Sequence, residues 1–185
     1  MTRAPSPVPP APDLAEAALL ARLDALGIGW TRHAHPPQHT VDQSRALRGA
    51  LPGAHCKNLF LIDRDGAPWL VTCAEDRRFR IPDLARAVGA PRLSFAPPDL
   101  LARHLRVAPG AVTPLALMHD ADRAVRLILD PVLLAAEIFN CHPLHNAATL
   151  AISSLDLRRF LTATGHAPIL ADFDAVEAAH PAARP

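Results

Sequence analysis

The feature that most constrains this chain is a pair of apolar runs separated by a turn. Leu59-Phe60-Leu61-Ile62 is continuously apolar and ends at Asp63-Arg64-Asp65-Gly66. A second run, Trp69 to Cys73, follows at once. Short apolar runs bounded by Asp and Gly are the pattern of buried strands joined by a hairpin. Immediately before the first run stand His55, Cys56, Lys57 and Asn58. Polar groups at a strand entrance are rigidly held yet can still reach solvent.

Lys57 is the only lysine; the other eighteen basic residues are Arg. A guanidinium is a wide planar fork, whereas an ammonium is compact and shifts its pKa readily on burial. The choice of Lys at this one place suits a site too small for a fork. A single lysine must fall somewhere, however, so composition alone assigns it no role.

The 185 residues suffice for one domain with a real core, and 50% of them are hydrophobic. Disorder as a whole is excluded. The net charge of +1 advertises no broad nucleic-acid surface, so any RNA footprint must be small and local. The three cysteines, at 56, 73 and 141, are dispersed and form no C-x-x-C pair. With no signal-peptide pattern and no run of membrane-spanning length, a reducing cytoplasm and no membrane partner are expected.

Met1 to Pro12 carries five prolines and reads as a loose tail. Asp13 is placed to cap a helix with an apolar face of Leu19, Leu20, Leu23 and Leu26, ended by Gly27. Ile28 to His33 reads as a short strand. Thr40 and Gln43 fit a capping box opening a short helix to about Arg48. Pro82, Pro98 and Pro131 each suit a helical first turn. Leu115–Met118 and Val125–Leu129 read as two strands. Ile138–Cys141 and Ala147–Ile152 are apolar segments around His142-Pro143-Leu144-His145-Asn146. Ser153 or Ser154 caps a helix that ends at Gly165. Ile169–Phe173 reads as a last strand, with a tail beyond. These elements make one α+β domain, residues 13–173, with a mixed sheet and surrounding helices, between tails at 1–12 and 174–185.

Two polar clusters interrupt apolar strands, His55–Asn58 and His142–Asn146. In one sheet they could line a common pocket of Lys57, Asn58, His142 and Asn146. Such a pocket offers donors for a phosphate or an oxyanion, with no Asp or Glu nearby in sequence. Cys56 and Cys141 each adjoin a His, which permits a Cys-His nucleophile or a zinc site. Neither spacing matches a strong pattern, and buried free cysteine is the ordinary state of such residues. Arg77, Arg78 and Arg80 form a charged stretch; extended, Arg78 and Arg80 point the same way. A solvated surface and a phosphate contact both fit it. No phosphate-loop, dinucleotide or nucleophile-elbow motif occurs.

Lys57-Asn58-Leu59-Phe60-Leu61, Gly110-Ala111-Val112-Thr113-Pro114, His142 to Thr149, and Phe160-Leu161 through Gly165-His166 occur in this order. As an ordered set, spanning roughly Ala15 to Phe173, they resemble the YbaK/ProX family of aminoacyl-tRNA editing proteins, most of all its free-standing prolyl-tRNA editing members. The resemblance implies a compact α+β domain with no metal or cofactor. It implies hydrolysis of a mischarged aminoacyl ester, alanine on tRNA(Pro), with the tRNA acceptor end and prolyl-tRNA synthetase as partners. It carries the family's lysine onto Lys57 as the catalytic residue, its asparagine onto Asn58, and its H-P loop onto His142-Pro143. Asn146 and Thr40 complete the expected substrate-binding set, with Arg77, Arg78 and Arg80 as tRNA contacts. A deacylase for serine or cysteine on tRNA, and a module that binds aminoacyl-tRNA or a synthetase without hydrolysis, fit the same residues.

Overall fold

A computed structural model describes residues 11–37 and 51–179. The Thr40 capping box and its short helix lie outside the described residues. The chain forms one α+β domain around a mixed sheet of eight strands. These are β1 (Trp30–Ala34), β2 (Ala54–Asp63), β3 (Pro68–Ala74), β4 (Leu93–Phe95), β5 (Arg126–Leu129), β6 (Ile138–Cys141), β7 (Ala148–Ser153) and β8 (Ile169–Leu170). Their order is β1-β7-β6-β2-β3-β5-β8, with β4 also paired to β2. β2 runs parallel to β6, and β5 runs parallel to both β3 and β8; the remaining pairs are antiparallel.

The expected hairpin is β2–β3. Asp63 closes it: its carboxylate accepts from the Asp65 and Ala67 amides and from the Trp69 indole at 2.8–3.0 Å. Burial pushes this carboxyl up, but those donors outweigh it and hold its pKa below the usual value.

Among the described residues six α-helices cover the sheet: α1 (Pro12–Ala25), α2 (Ile81–Ala87), α3 (Pro98–Leu105), α4 (Pro131–Ala135), α5 (Ser154–Thr164) and α6 (Phe173–Ala178). All six have Pro at the first or second position, or a Ser or Asp side chain accepting an amide at the cap, as local chemistry demands. Side chains of successive strand residues alternate between faces. On one face Phe60, Leu70 and Phe139 pack with α1, α3, α4 and α5. On the other, Leu61, Val71, Trp69 and Ile128 pack with α2 and α6. Each such buried side chain contributes roughly 1.5–3 kcal/mol.

Several expectations are corrected. Asp13 sits in the first turn of α1 rather than at its cap, because Pro12 already occupies the first helical position. Leu115–Met118 is not a strand but part of a 3-10 helix, Pro114–His119. Pro114 favours the helical start, and Thr113 Oγ1 accepts from the Leu115 amide. The last strand stops at Leu170. Asp172 then caps α6 through the Ala175 amide, and Phe173 and Val176 bury its inner face, so residues 174–178 are helix and not tail.

Gly53 is the tight point ahead of β2. Its φ is +105°, and a Cβ there would lie 2.7–2.8 Å from Ile138 Cβ and the Ile138 carbonyl oxygen. Only glycine allows β2 to pass β6 so closely.

Candidate functional site

Lys57 lies inside β2, opposite Cys73 of β3, rather than at the strand's mouth. Its ammonium donates to the Arg77 carbonyl and stands 5.4 Å from the centre of the Phe79 ring. Burial pulls its pKa below the ordinary lysine value; the nearby Arg78 acts the same way, while Cys73, Glu177 and Asp76 act against it. Among the described residues Lys57 has no salt-bridge partner.

Asn58 faces the other side of the sheet. Its Oδ1 accepts from Thr72 Oγ1 at 2.8 Å, and its Nδ2 lies 3.7 Å from Cys56 Sγ. The Cys56 thiol in turn donates to the Asn140 carbonyl of β6. A common pocket of Lys57, Asn58, His142 and Asn146 therefore cannot draw its first two members from one face of β2, because period-two alternation separates them. What they share is an edge. β2 pairs with β6 through Ala54–His55 and with β4 through Leu61–Asp63. Between these, among the described residues, Cys56–Leu59 have β3 alone as a strand partner.

The His142–Asn146 loop joins β6 to β7. His142 Nδ1 is 3.3 Å from the Ala148 carbonyl, which fixes the N–H on Nδ1. Burial lowers the His142 pKa, the Ala148 carbonyl raises it, and His35 and His145 lower it; the net shift is down, so the ring is neutral at pH 7 with its lone pair on Nε2. Pro143 is buried and Asn146 half-buried. A Cβ on Gly110 would lie 3.8 Å from Asn146 Nδ2, and Thr113 hydrogen-bonds Cys141. The segments 110–114 and 142–147, far apart in the chain, thus meet.

This loop is anchored from behind. The Ala147 amide donates to His145 Nδ1, so His145 Nε2 donates to Glu16 of α1 at 3.0 Å. Arg32 grips the same carboxylate at 2.6 and 3.1 Å. Burial raises the Glu16 pKa, but Arg32 and His145 outweigh it and hold it below the ordinary value. Nothing in sequence spacing announces this triad, whose members are 16, 113 and 129 residues apart.

Arg77 is corrected as a tRNA contact. Its side chain is only 14% exposed, with Nε 2.8 Å from the buried Asp130 carboxylate and Nη1 bound to Glu177 at 3.0 Å and to Asp174. Burial works against its charge, and these three carboxylates more than restore it, raising its pKa. Arg78 and Arg80 are exposed, with Phe79 turned inward between them, as an extended stretch requires.

The three cysteines form no disulfide. Burial pushes the Cys73 thiol up to about 12 and the Cys141 thiol well above its usual value, so neither is poised as a thiolate nucleophile. Among the described residues no three His, Cys, Asp or Glu side chains converge as a metal-ligand group, and no helix is long and apolar enough to cross a membrane.

Residues 35–160 match the family described as the aminoacyl-tRNA editing domain. Prolyl-tRNA synthetase associated domain-containing protein 1 of Danio rerio is 40% identical over 154 residues, covering 82% of this chain and 84% of that protein. The prolyl-tRNA editing protein ProX of Acetoanaerobium sticklandii is 31% identical over 153 residues, covering 82% and 93%. A crystal structure described as a candidate trans-editing enzyme for prolyl tRNA synthetase superposes with a TM-score of 0.62 at 20% identity, over 85% of this chain and 96% of that one, which bears on the fold. The editing-domain match spans most of the chain and includes both the β2 edge and the His142–Asn146 loop, so this chain belongs to the aminoacyl-tRNA editing domain family, as a YbaK/ProX-type member.

Proposed function

We propose that the protein is a trans-editing hydrolase that removes alanine from mischarged Ala-tRNA(Pro). The observation that carries the reading is Lys57: a lone, half-buried ammonium, held by a peptide carbonyl, on a stretch of β2 that has β3 as its one strand partner among the described residues. A charge held away from bulk water acts strongly on a developing oxyanion or on a phosphate.

The need is physical. A synthetase pocket that accepts proline also admits the smaller alanine, and the missing methylenes yield only about 1–3 kcal/mol of discrimination. A second site, small enough for alanine and too tight for proline, repairs the error. The aminoacyl ester is already activated. A positioned water adds to its carbonyl carbon, the ester C–O bond breaks, a proton passes to the ribose oxygen, and alanine and tRNA(Pro) leave. Lys57 holds the ribose side of the ester or the terminal phosphate and stabilises charge there. Asn58 approaches from the opposite face of the same edge. His142, neutral with its lone pair on Nε2, accepts from the aminoacyl ammonium, while Pro143 and Asn146 shape the loop and Thr40 adds to the substrate-binding set. Arg78 and Arg80 steer the acceptor end. Prolyl-tRNA synthetase, which makes the mischarged product, is the natural partner.

The test is deacylation of tRNA(Pro) charged in turn with alanine, serine, cysteine and proline. Rapid turnover of the alanine ester with proline spared is the expected result. Preferential turnover of serine or cysteine would reassign the substrate, and binding without turnover of any ester would remove the hydrolase reading.

A further inference from the structure

The C-terminal helix α6 is absent from the proposed chemistry, yet it meets the catalytic lysine's surroundings twice. The first meeting runs through one peptide group. Its carbonyl, of Arg77, accepts from the Lys57 ammonium, and its N–H, of Arg78, donates to Glu177 Oε1. The other carboxylate oxygen of Glu177 takes Arg77 Nη1 at 3.0 Å. Asp174, one turn earlier in α6, also binds Nη1, and Asp130 grips the other side of the guanidinium at 2.8 and 3.4 Å. The second meeting is aromatic. Phe173, the first residue of α6, packs edge-on against Phe79 at 5.2 Å between centroids, and the Phe79 ring lies below the Lys57 ammonium.

The geometry points to α6 as a positioning element for Lys57: Glu177, acting through the Arg77–Arg78 peptide, holds the carbonyl that holds the ammonium. A carboxylate on the N–H end of a peptide polarises it and makes its C=O a stronger acceptor, so the two hydrogen bonds reinforce each other. Glu177 is thus a positioning residue and Lys57 the catalytic one; the catalytic consequence rests on the function proposed above, whereas the contact itself does not. The charged and titratable groups around Lys57 are Cys73 from β3, Asp76, Arg77 and Arg78 from the turn after it, and Glu177 from α6. Docking of α6 would make the ammonium rigid and keep it charged. Release of α6 would free the turn and with it the lysine.

The single lysine supplies the probe. In the full-length chain labelled with 13C and 15N at the lysine ε-position, Lys57 gives one side-chain resonance. In the wild-type protein that resonance should shift when the solution is acidified. In Glu177→Gln, which keeps the shape and removes the charge, the lysine pKa should fall. The alkaline loss of deacylation, as the ammonium deprotonates, should then move to lower pH. The turnover number should drop on the order of 10-fold with KM little changed, the effect of a displaced catalytic group. Asp65→Asn, at an exposed carboxylate in the β2–β3 turn, should change none of these. A Lys57 resonance that ignores acid titration in the wild type, or a titration in folded Glu177→Gln that superposes on wild type, would overturn the proposal. The wild-type acid titration decides the matter even where the variant fails to fold. Coupling seen in the resonance of a protein that hydrolyses no ester would overturn the proposed function and leave the positioning by α6 standing.

Discussion

Lys57 and Asn58 are adjacent in the chain and lie on opposite faces of one strand: the Lys57 ammonium donates to the Arg77 carbonyl, while Asn58 Oδ1 accepts from Thr72 Oγ1 at 2.8 Å. They converge only at the edge of β2, between the segments covered by β6 and β4. A substrate that uses both must therefore approach that edge, and small displacements of either side chain separate them.

Lys57→Ala is expected to abolish deacylation with the fold intact. Lys57→Arg keeps the charge but replaces a compact head with a fork. Its longer reach would strike Phe79 or misplace the ester, and a displacement of about 1 Å costs on the order of 100-fold in rate. Single-turnover hydrolysis of Ala-tRNA(Pro), with circular dichroism as the folding control, measures both. A near-full rate in the Arg variant would remove Lys57 from the site.

Arg77 and its two exposed neighbours should separate cleanly. Arg77→Ala leaves the buried Asp130 carboxylate without its partner and should cost about 3–5 kcal/mol of stability by chemical denaturation. Arg78→Ala and Arg80→Ala should leave stability unchanged within about 0.5 kcal/mol. Each should instead reduce the slope of log affinity against log salt by about 0.7 on single-stranded RNA or 0.9 on duplex. The net charge of +1 makes the wild-type slope shallow. A slope implying many phosphate contacts would contradict this.

Glu16 ties stability to pH. Its folded pKa lies below its unfolded value of about 4.5, so its contribution is fully present above that pH and is lost as pH falls through the folded pKa. Glu16→Gln removes the charge that both Arg32 and His145 use, and should destabilise the protein by about 1.5–3 kcal/mol at pH 7. The difference between variant and wild type should shrink in denaturation curves taken at progressively lower pH in the acid range. A gap that stayed constant with pH would mean that the carboxylate charge is not what holds the His142–Asn146 loop.

Gly53→Ala should destabilise by on the order of 2 kcal/mol or more, from its positive φ and the overlap with Ile138. Thermal unfolding measures this, and because β2 carries Lys57, activity should fall in parallel at temperatures where the variant is still folded. A neutral substitution would show that β2 and β6 can part without cost.

The elements that neighbouring residues specify were legible from the chain alone. The β2–β3 hairpin follows from two apolar runs around Asp63–Gly66, and α5 from Ser153 and Gly165 at its ends, because turns and caps are chemistry between residues a few positions apart. Leu115–Met118 shows where that stops. A four-residue apolar run suits a strand or a helix equally, and the cap from Thr113 and the buried surroundings decided for a 3-10 turn. Alternation along β2 was present in the sequence, yet which residues would meet across the sheet was not, since that depends on the register between strands. The Arg77–Asp130 pair spans 53 residues and the Glu16–His145 pair 129, and α6 matters only because the fold carries it back to the turn after β3. A charged side chain reads as solvated surface until tertiary packing removes the water around it. Only then do partners distant in the chain become the sole groups able to satisfy it, and their placement decides where the lysine stands.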